Sequence, residues 1–140
     1  MSRFVCFILF CAALAVLGMT AGCGSKNQKV SGKVTFTDGS PLTTGIVCFV
    51  AEDGSTGRGE IASDGTYVMG FESEKNGIPK GGTYQVSIIN ALKEEGLDKS
   101  GMPIQKPLID RKYDNVKTSG LTFTADGKSK TFDITVEPAK

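Results

Sequence analysis

The chain has no histidine and no tryptophan. Without histidine there is no imidazole to serve as the base of a Ser-His or Cys-His nucleophile pair, and the commonest metal ligand is missing. Without tryptophan, a sugar ring would have to stack on one of 3 tyrosines or 8 phenylalanines. No stretch of the mature chain sustains a 3.6-residue apolar period, so a helical core is not expected. Charge of either sign is also not in excess. Lys plus Arg is 16 and Asp plus Glu is 15. A nucleic-acid partner calls for a basic face, so no such partner is expected, and electrostatic adhesion to an anionic membrane is not expected either.

Cysteine occurs four times, but position removes a disulfide framework. Met1-Ser2-Arg3 is a short basic start and Phe4 to Leu17 is an apolar run. That run is shorter than the ~20 apolar residues of a membrane-spanning helix and suits a secretion signal. Gly18 breaks it, and Thr20-Ala21-Gly22-Cys23 follows. This segment resembles the lipobox of bacterial lipoproteins. Ala21 and Gly22 match the small positions before the cut, and Cys23 matches the lipid acceptor, with Thr20 at the first position in place of the usual Leu. The resemblance implies a signal peptide over 1–22, a lipidated Cys23, and a polar tether over 23–28. Gly24 after the cysteine resembles the pattern of lipoproteins sent on to the outer membrane. Without lipid on Cys23 the same cut would release a secreted protein. Cys6 and Cys11 leave with the signal, so Cys48 alone remains, and its apolar neighbourhood from Ile46 to Val50 makes it a small buried hydrophobe.

The remaining sequence punctuates short strands with turns. Val30, Val34 and Phe36 alternate with Ser31, Lys33 and Thr35, giving a half-buried strand over 29–37. Further strands are expected over 45–51, 58–62, 66–71, 83–92, 121–125 and 131–136. Asp38-Gly39, Asp53-Gly54, Asp64-Gly65 and Asp126-Gly127 separate them. Residues 93–119 carry Gly96, Gly101, Pro103 and Pro107 with no clear period. They read as a long excursion with one helical turn around Lys93 to Leu97, and a structureless loop of that length marks a site of function or mobility. About seven short strands in one domain, residues 29–138, give an all-β sandwich.

Three pieces together resemble a family. They are Val30-Ser31-Gly32-Lys33-Val34-Thr35-Phe36 with Asp38-Gly39-Ser40-Pro41-Leu42 and Gly45 to Phe49; Gly59-Glu60-Ile61 with Ser63-Asp64-Gly65-Thr66-Tyr67; and Gly77-Ile78-Pro79-Lys80-Gly81 with Thr83-Tyr84-Gln85-Val86. They look like the carboxypeptidase-regulatory-like, or transthyretin-like, β-sandwich domain of small bacterial lipoproteins. The resemblance covers most of residues 29–89. It implies a prealbumin-like sandwich and, in some relatives, carbohydrate binding or adhesion. Its motifs are turn and core signatures and specify no activity.

No catalytic constellation and no cofactor site is expected. A related ring-hydrolysing enzyme of this fold uses histidines, which are absent here. Lys33, Glu60 and Asp133 evoke the isopeptide bonds of adhesins. However, Lys33 is out of phase with Val34 and Phe36, and Asp133 with Phe132 and Ile134, so both should face water. The Asp-Gly loops offer too few oxygens for calcium, and no metal is expected. Tyr113, after Arg111 and Lys112, is the one tyrosine outside core phase. Arg111, Lys112 and Tyr113 are therefore the candidate binding residues, though a ring packed on the sandwich is the preferred reading of Tyr113. Any binding surface should lie within Lys93 to Lys117. The expected function is a lipid-anchored, non-enzymatic module of the bacterial envelope with a structural or adhesive role, its partners the membrane and an envelope protein or polysaccharide. The alternative is a carbohydrate-binding module at the cell surface.

Overall fold

The computed structural model describes residues 26–71 and 77–140. The signal segment and Cys23 lie outside the described residues. The chain is an all-β sandwich. In order, its strands are β1 (Asn27–Gln28), β2 (Ser31–Phe36), β3 (Ile46–Ala51), β4 (Thr56–Glu60), β5 (Thr66–Val68), β6 (Gly70–Phe71), β7 (Ile78–Pro79), β8 (Thr83–Ile89), β9 (Leu92–Leu97), β10 (Pro103–Pro107), β11 (Leu121–Thr124) and β12 (Ile134–Val136). A 3₁₀ turn spans Arg111–Asp114.

Two sheets form the layers. The larger has 5 strands in the order β11-β8-β3-β4-β6, and the smaller has 3 in the order β12-β2-β5. All pairs in the larger sheet are antiparallel, whereas β12 runs parallel to β2. Alternation puts one phase of each strand into the space between layers. From the larger sheet come Val47, Phe49, Tyr84, Val86, Ile88 and Phe123; from the smaller come Val34, Tyr67, Ile134 and Val136. Phe49 and Phe123 lie 5.3 Å apart between ring centres, and Phe132 meets both edge-on at 5.9 and 5.3 Å. These rings fill the centre that a domain without disulfides must build from apolar contact alone.

Strand β4 alternates in an unusual way. Its inward positions are Gly57 and Gly59, with Arg58 between them facing out. The volume that β4 omits is filled from neighbouring strands: a Cβ on Gly57 would lie 2.6 Å from the Ile78 side chain and 3.4 Å from that of Met69. Met69 is also where the strand expected over 66–71 divides. Its N–H donates to the Val30 carbonyl at 2.8 Å, so β5 joins the smaller sheet while β6, one residue later, pairs with β4 in the larger.

The four Asp-Gly turns form by one mechanism. Glycines 39, 54, 65 and 127 have φ between +80° and +87°, while the aspartates use their carboxylates instead. Asp38, Asp53 and Asp64 each accept a hydrogen bond from the backbone N–H two residues on, at 2.9 Å, and Asp126 accepts one from Lys128 at 2.8 Å. Hydroxyl hydrogen bonds from Ser40, Ser55 and Thr66, and then these backbone bonds, hold Asp38, Asp53 and Asp64 below the usual aspartate range, and the backbone N–H groups of Ser129 and Lys128 do the same for Asp126.

Two expectations change. The tether expected to run to residue 28 ends earlier, because Asn27–Gln28 pair with Ile78–Pro79. Gln28 is buried with both ends of its amide engaged. Its Oε1 accepts from the Gly127 N–H at 2.7 Å, and its Nε2 donates to the Ser129 carbonyl. The helical turn expected around Lys93 to Leu97 is instead strand β9, paired with β10 in a separate two-stranded ribbon.

Candidate functional site

The two ends of the sandwich differ. At one end the chain enters through β1: the Lys80 N–H donates to the Lys26 carbonyl at 3.1 Å, and Tyr84, at the start of β8, donates its hydroxyl hydrogen to the Pro79 carbonyl at 2.9 Å. The other end is reached along β8, whose last residue, Ile89, pairs with Ile46 at the start of β3. The 7 residues of β8 separate these ends by about 20 Å. At that far end Asn90 takes φ +57°, the one non-glycine residue with positive φ among the described residues. Asparagine tolerates this region better than any branched side chain, and here it ends pairing with the main sheet.

The ribbon β9–β10 follows. Every residue from Leu92 to Lys106 is exposed. Leu97 is 66 % exposed, Met102 64 %, Ile104 39 % and Leu92 37 %, so among the described residues the ribbon carries most of the large apolar side chains that face water. Its tip is closed by Asp98, whose carboxylate accepts from Ser100 N–H at 2.8 Å and Met102 N–H at 2.9 Å, with Gly101 at φ +81°. Leu92 lies opposite Pro107 and Leu97 opposite Pro103; Lys93 lies opposite Lys106 on the other face. Glu95 bridges both lysines, to Lys93 at 2.8 Å and also to Lys106. Chiefly the Lys106 contact, then that of Lys93, pulls the Glu95 carboxyl down to about 2.

The base of the ribbon is clamped. Leu108 N–H donates to the Ala91 carbonyl at 2.8 Å, Ala139 N–H to the Leu108 carbonyl at 3.0 Å, and Asp110 N–H to the Glu137 carbonyl at 3.0 Å. Ile109 is buried and bridges to Pro138. The C-terminal segment thus holds the stem from which an exposed arm projects.

The candidate binding residues fall at this clamp, where Tyr113 is buried, Lys112 half-buried and Arg111 exposed. Asp110 caps the 3₁₀ turn by accepting from Lys112 N–H at 3.0 Å. Tyr113 is 5 % exposed and belongs to the core; its hydroxyl accepts from the Glu137 N–H at 3.4 Å. Lys112 lies 4.9 Å over the Tyr113 ring and pairs with Glu137 at 2.7 Å. Arg111 is exposed beside them. The ring is therefore packed on the sandwich, and neither of its faces is open for sugar stacking. Tyr67 and Tyr84 are buried too, and among residues whose side chains are described no aromatic is exposed.

The isopeptide geometry is absent. Lys33 and Asp133 are both exposed, and the Asp133 carboxylate accepts from the backbone N–H of Lys33 at 2.9 Å. Cys48 is a buried free thiol pushed up by desolvation, with Arg58 acting weakly the other way. Among the described residues no cluster of three or more acids or cysteines is placed to hold a metal ion. No helix among them is long and apolar enough to cross a membrane.

The sequence reading missed the arm because none of its residues is buried, so no alternation marks its strands. The Asp98-Lys99-Ser100-Gly101 turn between two short segments was the available signal.

No family model matches the chain, and no curated protein matches it. Among solved structures it is similar to a 9R-lipoxygenase from Cyanothece PCC8801, at 13 % identity and a TM-score of 0.39, over 82 % of this chain and 16 % of that one.

Proposed function

We propose that this chain is a lipid-anchored, non-enzymatic β-sandwich module of the bacterial cell envelope that serves an adhesive or structural role, in the manner of the small carboxypeptidase-regulatory-like lipoproteins it resembles. The observation that carries the reading is the opposition of the two ends. Four residue steps from Cys23 to Asn27 span at most about 14 Å. A lipid on Cys23 would hold the β1 end close to the bilayer. The exposed ribbon then projects from the far end, where a partner can reach it. More than one acyl chain, at ~0.8 kcal/mol per buried methylene, makes such an anchor stable.

The carbohydrate-binding alternative loses support because Tyr113 is packed in the core. The test is metabolic labelling with a radioactive fatty acid in a bacterial host. Label should enter the wild-type chain and be lost in Cys23→Ala. Wild type released into the medium without label would overturn the anchor.

A further inference from the structure

The arm's two outer edges are not equivalent, and the difference lies in two prolines. The bonds from Leu108 N–H to Ala91 and from Asp98 N–H to the Met102 carbonyl, both 2.8 Å, close the ribbon at its two ends. In an antiparallel ladder, inward-bonding and outward-facing residues alternate. Counting from either end, the outward-facing residues are Leu92, Glu94 and Leu97 on β9, and Pro103, Gln105 and Pro107 on β10. The one-residue offset between the two counts is taken up by a bulge, where Glu95 and Gly96 oppose Ile104 and Gly96 has φ +83°. Proline has no N–H, so the outer edge of β10 keeps a single donor, on Gln105, and is closed to strand addition. The outer edge of β9 keeps all of its donors, and no strand among the described residues pairs with it. The stretch from Leu92 to Glu95, ahead of the bulge, is a free and regular edge.

We propose that this edge of β9 accepts an extended segment of another polypeptide, one that alternates apolar and acidic residues. Leu92 and Leu97, on the face with Pro107 and Pro103, offer apolar contact beside the edge. On the opposite face, Glu95 supplies one negative charge to two lysines, leaving the Lys93–Glu95–Lys106 group with a net positive charge. An acidic side chain opposite Lys93 complements it. A second copy of this chain is a poor occupant. Two-fold antiparallel pairing of β9 with itself, keeping outward residues in register, centres either on Lys93 against Lys93 or on Glu94 against Glu94. A lipid surface is a poor occupant as well, since Asp98 at the tip and Glu94 on the edge would have to leave water. The inference rests on the adhesive part of the proposed function but not on the lipid anchor.

The test uses full-length protein purified in detergent and two blocked seven-residue peptides, one alternating valine with aspartate and one alternating valine with lysine. Amide exchange is followed by NMR. The aspartate peptide should slow exchange at Leu92 and Glu94 and bind about tenfold more tightly than the lysine peptide. Lys93→Glu should invert that order. Glu94→Pro removes an outward donor without touching the ladder and should abolish binding, whereas Gln105→Pro should leave it intact. If Glu94→Pro disorders the ribbon, the inversion by Lys93→Glu decides. Failure of both peptides to slow exchange overturns the proposal, as does loss of binding in Gln105→Pro. Slowing by phosphatidylcholine–phosphatidylglycerol vesicles alone, or by protein concentration alone, would assign the edge to a bilayer or a second copy and overturn it too. Peptide binding by protein whose Cys23 carries no lipid would keep the site and refute the anchor; lipid on Cys23 without peptide binding would do the reverse.

Discussion

The phenol of Tyr67 on β5 donates to the backbone carbonyl of Phe132 at 2.5 Å, across β2. The same carbonyl lies 1.9 Å from where a Cβ on Gly32 would sit. Gly32 is therefore glycine because the segment leading into β12 passes directly over β2, with the Tyr67 ring beside it. Burial, and secondarily the charge of Asp133, push the Tyr67 hydroxyl well above its ordinary range, so it is a permanent donor there.

Two substitutions separate the parts of this contact. Tyr67→Phe keeps the packing and removes the donor to a buried carbonyl, and should cost about 1–2 kcal/mol of unfolding free energy. Gly32→Ala forces a Cβ into backbone and should cost more, about 2–3 kcal/mol. Urea unfolding followed by circular dichroism measures both; a smaller loss for Gly32→Ala than for Tyr67→Phe would contradict the close approach.

The aspartate turns make the fold sensitive to acid in a defined direction. Asp38, Asp53, Asp64 and Asp126 are lowered below an ordinary value of 3.8, so in the window from their depressed values up through that ordinary value the folded chain binds fewer protons than the unfolded one. Their contribution is fully present above about pH 5 and is lost as pH falls through the depressed folded values. The thermal midpoint should be flat from pH 5 to 7 and fall steadily below pH 4. Asp64→Asn should shallow that fall. A midpoint independent of pH down to 2 would rule out this linkage.

The clamp beneath the arm should answer to packing rather than to charge. Tyr113 is buried, while the side chains of Lys112 and Glu137 are partly exposed to water. Tyr113→Ala should cost about 3–5 kcal/mol, as for deletion of a core aromatic, and Lys112→Ala much less, because solvent screens its ion pair. Retention on a polysaccharide column should not change in Lys112→Ala. Comparable losses from the two variants in a denaturation series would show that the ion pair, not the ring, holds the stem.

The longer strands were legible because each states its own phase. In β2, β8 and β11 the apolar positions alternate over four to seven residues, β3 is apolar throughout, and neither pattern needs knowledge of a partner strand. The Asp-Gly turns were legible for a similar reason, since carboxylate and acceptor N–H lie two residues apart. The burial of Tyr113 could only be a preference, because a ring with a polar edge satisfies either a core or a surface until its neighbours are known. The β9–β10 arm was opaque for the opposite reason: pairing without burial leaves no periodic trace.

Local stereochemistry, then, was written in the sequence: which residues extend, which turn, and which side of each strand is apolar. Partnership was decided only by the tertiary structure. Gln28 is pinned by Ser129 from 101 residues away. The strand expected over 66–71 is divided between sheets at Met69, and two prolines become a closed edge only once hairpin register turns their nitrogens outward. Each of these depends on where distant backbone comes to rest, and a hydrogen bond or a van der Waals contact acts only over the last few ångströms.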